Sequence, residues 1–209
     1  NHDQIEDIIE NDIVKAVTLT GSEPAGRSIA AVAGKNLKKT VLELGGNNAC
    51  VVFDDANLDK HIDTMVKARM QNTGQSCIAA KRFIVSEKIY DQFLSRFKDE
   101  VSKLNSGNPE DSDTFIGVMA REDLAEELEQ QVNKSIDLGE KIILGNKRNK
   151  AYYEPTIITD VTEDMPVFKE ETFGPVAAVI KAKDNEHAIK LAANSRFGLG
   201  TMIVTENTD

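Results

Sequence analysis

Short β-branched runs alternate with helical runs along the whole of this chain, and that alternation limits the architectures open to it. Lys15-Ala16-Val17-Thr18-Leu19-Thr20 reads as a buried strand, and beyond the Gly21–Gly26 turn the alanine-rich segment Arg27–Asn36 reads as a helix. Thr40–Leu44 and Ala49–Phe53 are strands, and Leu58 to about Gln71 is a helix with Ile62, Met65, Val66 and Met70 on one stripe. A strand at Arg82–Ser86, an amphipathic helix over Glu87–Leu104, a loop over Asn105–Asp113, a helix over Asp123–Leu138 stopped by Gly139 and a strand at Glu140–Leu144 follow. Gly145–Lys150 reads as a solvated basic loop, Tyr152–Ile158 as extended, Val167–Pro175 as a loop, Val176–Lys181 as a strand, Asn185–Ala193 as a helix and Gly200–Thr205 as a last strand. Strands separated by helices are joined by crossovers, which makes neighbours parallel and puts helices on the sheet. The expected class is α/β: a mostly parallel open sheet with helices on both faces.

Composition narrows the function. The chain has 209 residues, enough to bury about 70% of its unfolded surface without staples. A net charge of -10 argues against a partner with a phosphate backbone, so no nucleic acid is expected. Two cysteines, Cys50 and Cys77, and three scattered histidines make neither a disulfide framework nor a metal site. No apolar run approaches the ~18 residues of a membrane span. The N-terminus carries no basic-then-apolar pattern, and the net charge favours solubility in the cytoplasm, the expected location. The start at Asn1-His2-Asp3, without Met, is expected of a piece of a longer protein.

Three stretches carry chemistry. Asn72-Thr73-Gly74-Gln75-Ser76-Cys77 puts a thiol at a polar, glycine-containing bend between a helix and a strand, where a nucleophile can face a cleft. Cys50, flanked by apolar residues, reads as packing. Glu43 ends a strand beside Gly45-Gly46; it reads either as an outward-facing strand residue or as a carboxylate where catalytic groups gather in open α/β sheets. Gly21 and Ser22 open a helix whose N-terminus could meet an anion, although the glycine spacing of a dinucleotide fingerprint is missing.

Glu43 with Gly45-Gly46-Asn47, the Asn72–Cys77 stretch, and Glu170-Glu171-Thr172-Phe173-Gly174-Pro175 together resemble the aldehyde dehydrogenase superfamily. Leu19-Thr20-Gly21-Ser22 looks like that family's cofactor-domain turn, and Asn194–Leu199 like a late family segment. The wider runs Arg69–Cys77 and Ala80–Val85 look most like bacterial succinate-semialdehyde dehydrogenases. In some members of that group an Arg that holds the substrate carboxylate precedes the Asn-Thr-Gly stretch; here Gln71 stands there.

The resemblance implies NAD or NADP as cofactor, a small-molecule aldehyde as substrate, and a homo-oligomer, dimer or tetramer, when full length. It implies Cys77 as the nucleophile that forms a thiohemiacetal and then a thioester, with its backbone N–H as one oxyanion donor. Glu43 is implied as the general base for hydrolysis. Gly21, Ser22 and Gly26 are placed by resemblance near the pyrophosphate. Glu171 and Phe173 are placed at the nicotinamide riboside, and Glu43, Leu44 and Gly45 also border the cofactor. The implied division is 1–44 as the C-terminal part of a dinucleotide-binding domain and 45–209 as an incomplete catalytic domain, the piece alone being inactive. Two alternatives stand beside this: a CoA-acylating aldehyde dehydrogenase, against which Glu43 argues, and a non-catalytic domain that keeps the fold.

Overall fold

The structure, a computed structural model, describes residues 2–207; Asn1, Thr208, Asp209 and the side chains of His2 and Asp3 lie outside the description. Two compact units are present, Asn1–Gly45 and Gly46–Asp209.

The smaller unit runs α1 (His2–Glu10), β1 (Ala16–Thr20), α2 (Glu23–Lys35) and β2 (Lys39–Glu43). The strands are parallel, in register from Ala16 opposite Lys39 to Thr20 opposite Glu43. Helix α2 begins at Glu23, four residues before the expected Arg27, because Ser22 caps it and Pro24 fits its first turn. The expectation that β1 is buried is corrected. Thr18 and Val41 are exposed, while Val17, Leu19, Thr40 and Leu42 are half-buried. A two-strand sheet with α2 packed on it covers one face only.

The larger unit is organised by a six-stranded sheet. In chain order it contains β3 (Asn48–Val52), α3 (Leu58–Met70), β4 (Ala80–Ser86), α4 (Tyr90–Ser102), α5 (Glu122–Ile136), β5 (Lys141–Leu144), β6 (Arg148–Asn149) and β7 (Tyr152–Tyr153). β8 (Thr156–Thr159), α6 (Pro166–Lys169), β9 (Val176–Ala182), α7 (Asn185–Ala193) and β10 (Thr201–Val204) complete it. The strand order is β10-β3-β4-β9-β8-β5, and every pairing is parallel except β5 with β8. Alternation along β3 divides the core in two. Ala49 and Val51 join a cluster with Leu128 and Val132 of α5 and Leu191 of α7. Cys50 and Val52 join another with Met65 of α3 and Phe93 and Phe97 of α4. The rings of Phe83 and Phe97 sit 4.7 Å apart there. The expected class therefore holds, and no described helix is long and apolar enough to cross a membrane.

Two loop expectations need correction. Pro166 at its first turn starts α6, which runs on through Lys169 into the Val167–Pro175 segment read as a loop. The Gly145–Lys150 segment is not simply solvated: β6 pairs with β7, and Arg148 lies 2.8 Å from Glu129 on the acidic face of α5.

Candidate functional site

The turn that carries Cys77 is built by backbone that most residues avoid. After α3, a short 3-10 turn carries Asn72 at φ 54°, Thr73 at φ 54° and Gly74 at φ 71°. Such a φ is costly for a β-branched Thr, and it persists only where the surroundings fix it. They do: the Thr73 hydroxyl accepts from the Gly117 N–H at 3.1 Å, and the Gln75 carbonyl oxygen Oε1 accepts from the Ala120 N–H at 2.8 Å. A Cβ on Gly74 would fall 2.3 Å from the Gly174 carbonyl, so only glycine allows these two loops to meet. Cys77, half-exposed, closes the turn; Cys50 is fully buried, and burial pushes its thiol up to about 12.

Two buried cations, Arg69 and Lys81, fasten this turn to the rest of the unit, and a third, Arg82, ties the loop before β3 to the end of α7. The Arg69 guanidinium donates to the carbonyls of Gly74 at 2.9 Å and Thr172 at 3.1 Å, and also to Gly174. Burial pulls Arg69 down to about 9, and Glu171 pulls it back up. The Lys81 ammonium donates to the carbonyls of Ser76 at 2.8 Å and Cys77 at 2.9 Å and lies 3.3 Å from Glu171 Oε1. Burial lowers Lys81 to about 8, with Arg69 adding to that and Glu171 and Cys77 opposing it. Arg82 donates to the Asn47 carbonyl at 3.0 Å and to Leu191 and Ala192 at the end of α7, each at 3.0 Å. The second contact of Glu171 is the Gly46 N–H, 3.1 Å from the same Oε1. Gly46 itself runs so close to Cys77 that a Cβ would lie 2.5 Å from the Cys77 carbonyl oxygen. Cys77, Gly46 and Glu171 therefore form one cluster, at the amino ends of β3, β4 and β9.

Two cavities border this cluster. One of about 360 Å³ is lined by Lys67, Gln71, Asn72, Gln75, Ser76 and Ile78, on either side of Cys77. Another of about 180 Å³ is lined by Leu124, Leu128, Gln131, Glu171 and Phe173, whose ring is 39% exposed. A carboxylate beside an accessible ring at a cavity rim suits a sugar diol attached to a flat heterocycle. The residues present therefore fit the riboside end of a nicotinamide cofactor.

In the smaller unit the expected residues also gather. The Gly21 N–H donates to the Glu43 carbonyl at 2.9 Å, joining the turn after β1 to the end of β2. A Cβ on Gly26 would lie 2.4 Å from the Leu44 side chain, so these two pack in direct contact. Gly45 has φ 95°. Ser22 spends its hydroxyl on the Ala25 N–H, and the Glu23 carboxylate is paired with Arg27 at 2.6 Å. Glu43 ends β2 with its side chain exposed.

Sequence reasoning missed Arg69, Lys81 and Arg82 as the fasteners of the site. The available signal was Lys81-Arg82 inside the apolar run Ala79–Val85, two adjacent charges in a strand with no polar face to receive them.

The chain is similar to known proteins along its whole length. The model of the aldehyde dehydrogenase family matches residues 1–209. Succinate-semialdehyde dehydrogenase [NADP(+)] 1 of Mycobacterium ulcerans is 47% identical over 206 residues, which is 97% of this chain and 45% of that protein. Succinate semialdehyde dehydrogenase [NAD(P)+] Sad of Escherichia coli is 45% identical over 98% of this chain and 45% of its own length. The crystal structure of succinic semialdehyde dehydrogenase from Streptococcus pyogenes, in complex with NADP+ as the cofactor, superposes with a TM-score of 0.95 at 37% identity, over 99% of this chain and 46% of that one. The chain thus spans less than half the length of the relatives it matches. On a family match over its whole length and a fold shared with solved members, the chain belongs to the aldehyde dehydrogenase family.

Proposed function

We propose that the protein containing this chain oxidises an aldehyde to its carboxylic acid with NAD or NADP, and that succinate semialdehyde is its substrate. The carrying observation is Cys77: the half-exposed thiol of the two, at a left-handed turn fixed from several sides, beside a cavity. Its thiolate attacks the aldehyde carbon, and the oxyanion takes the Cys77 backbone N–H. A bound nicotinamide supplies the hydride acceptor. Water then attacks the acyl carbon of the thioester, Glu43 takes the water's proton, and the carboxylic acid leaves as the thiolate is restored. Glu171 and Phe173 hold the nicotinamide riboside. Gly21, Ser22, Gly26, Leu44 and Gly45 border the rest of the cofactor. In this reading, residues 1–44 are the tail of a dinucleotide-binding domain and 45–209 most of a catalytic domain. The intact protein is a cytoplasmic homo-oligomer, and the 209-residue piece alone does not turn over.

The names of the relatives support succinate semialdehyde, and so does Lys67. It lies one helical turn before Gln71 and lines the cavity beside Cys77. With Gln71 where some relatives carry Arg, Lys67 is the cation placed to meet a distal carboxylate. The test is reduction of NADP by the full-length gene product with succinate semialdehyde, compared with the uncharged aldehyde butanal. The reading expects turnover that favours the semialdehyde and is abolished in Cys77→Ala. Equal use of both aldehydes contradicts the substrate, and undiminished turnover in Cys77→Ala contradicts the mechanism.

A further inference from the structure

We infer that Lys81 is a positioning residue that aims the Cys77 N–H at the reacting carbonyl and holds Glu171 in place, so that one buried charge sets both the oxyanion donor and the cofactor-side carboxylate. The inference rests on the proposed roles of Cys77 and Glu171 and deepens them.

The argument begins with peptide geometry. In a trans peptide the C=O and the following N–H point in opposite directions. The Ser76 carbonyl is held 2.8 Å from Lys81 Nζ. The Cys77 N–H on the same peptide must therefore face away from Lys81. Among the described residues that N–H has no acceptor in the protein. The Cys77 carbonyl, 2.9 Å from the same ammonium, fixes the next peptide as well. With both peptides tied to one cation, the donor is aimed before any substrate arrives, which is the condition for strong oxyanion stabilisation.

The third contact of the ammonium is Glu171 Oε1 at 3.3 Å, an atom that also accepts from the Gly46 N–H. Glu171 lies on the loop before β9 and Lys81 on β4, so the ion pair joins two neighbouring strand ends. Lys81 is fully buried, with Arg69 as the like charge and Glu171 and Cys77 as the opposite charges that act on it. Its carbonyl and carboxylate partners all accept, so a neutral amine would take from Glu171 the cation 3.3 Å away and leave Arg69 as the positive charge that acts on it. Burial holds Lys81 at about 8, which places the loss of that charge in a range kinetics can reach.

Three variants of the full-length gene product test this. Lys81→Met is expected to lower kcat at least tenfold through the misaimed donor, and to raise the KM for NADP about tenfold through the loosened Glu171, as loss of an orienting partner commonly does. Lys81→Arg keeps a charge that does not titrate in this range, so it is expected to restore most of both constants at pH 7. It is also expected to abolish the fall in kcat/KM for NADP that the inference predicts for the native enzyme as pH rises through about 8. An alkaline fall unchanged in Lys81→Arg overturns the inference, and this profile decides the matter if Lys81→Met does not fold. Glu171→Gln separates the inference from the reading beneath it. An unchanged KM for NADP in Glu171→Gln overturns the cofactor role of Glu171 itself. A raised KM there, with kcat and KM both unchanged in Lys81→Met, overturns the positioning role alone.

Discussion

In the smaller unit the candidate residues follow the carboxyl ends of β1 and β2; in the larger unit Cys77, Glu171 and Phe173 precede the amino ends of β4 and β9. The first arrangement is the one open α/β sheets use for ligands, and it needs little besides small residues and a helix start. Gly26 provides the close approach there, to Leu44, while the Gly21 N–H bonds the Glu43 carbonyl. The second arrangement brings irregular loops, with their carbonyl oxygens, into the interior. Each such oxygen left without a donor costs about 1–3 kcal/mol. Arg69, Lys81 and Arg82 supply the donors, and the bonds of the first two set the geometry of the turn that carries Cys77. The contrast teaches that glycine lets a helix start pack close against a strand's end, whereas holding a strained turn at a sheet's amino edge takes buried charge.

The largest effect expected from this contrast is at Arg69. Arg69→Met removes donors from Gly74, Thr172 and Gly174 together, and should destabilise the larger unit by about 3–5 kcal/mol in urea unfolding. Glu43→Gln, at an exposed strand end of the smaller unit, should change stability by no more than about 0.5 kcal/mol. Equal effects would erase the distinction between the two units.

Alanine at two glycines sharpens it further. In Gly74→Ala the new methyl meets backbone, the Gly174 carbonyl, and the residue sits at φ 71°, so a loss of about 2–4 kcal/mol is expected from chemical denaturation. In Gly26→Ala the methyl meets the end of the Leu44 side chain, which can turn aside, and the helical site gains from alanine. A loss of about 1 kcal/mol or less is expected there.

Within the larger unit, Glu140 is the counterpart of Glu171: a buried acid with no brace. Both its carboxylate oxygens lack a partner among the described residues, and burial raises it from 4.5 to about 8. The unfolded chain is then ionised above 4.5 while the folded chain keeps the proton up to about 8, so stability should fall as pH rises through that window. Glu140→Gln should flatten that fall and add about 2–3 kcal/mol at pH 7, measured as the pH dependence of the unfolding midpoint. A native fall that persists in the variant would show that another group causes it.

The smallest expected effect concerns the cavity beside Cys77. Lys67→Met in the full-length gene product should raise the KM for succinate semialdehyde about tenfold, roughly 1.4 kcal/mol, and leave that for butanal unchanged. A parallel change for both aldehydes would remove Lys67 from carboxylate recognition.

Much of this was legible in the residues. Apolar β-branched and helical runs predict five strands of the six-stranded sheet, with β8 read only as extended, and α3, α4, α5 and α7, because each element carries its own apolar pattern into a two-faced core. The polar bend before Cys77 and the apolar setting of Cys50 separate the two thiols correctly by burial. The partial exposure of β1 was not legible, since Val17 and Leu19 look the same in a two-stranded sheet as in a larger one. Nor was the role of Arg69, Lys81 and Arg82. A cation that binds main-chain carbonyls leaves no complementary side chain in the sequence to pair with it, and Arg69 lies 105 residues from its Gly174 partner.

The most direct test of the whole account is mass spectrometry of the full-length Glu43→Gln protein mixed with succinate semialdehyde and NADP. The account predicts a succinyl adduct that accumulates on the peptide containing Cys77, because the thioester forms and its hydrolysis is slowed. An acyl group on another residue, or normal turnover with no adduct at all, would contradict it.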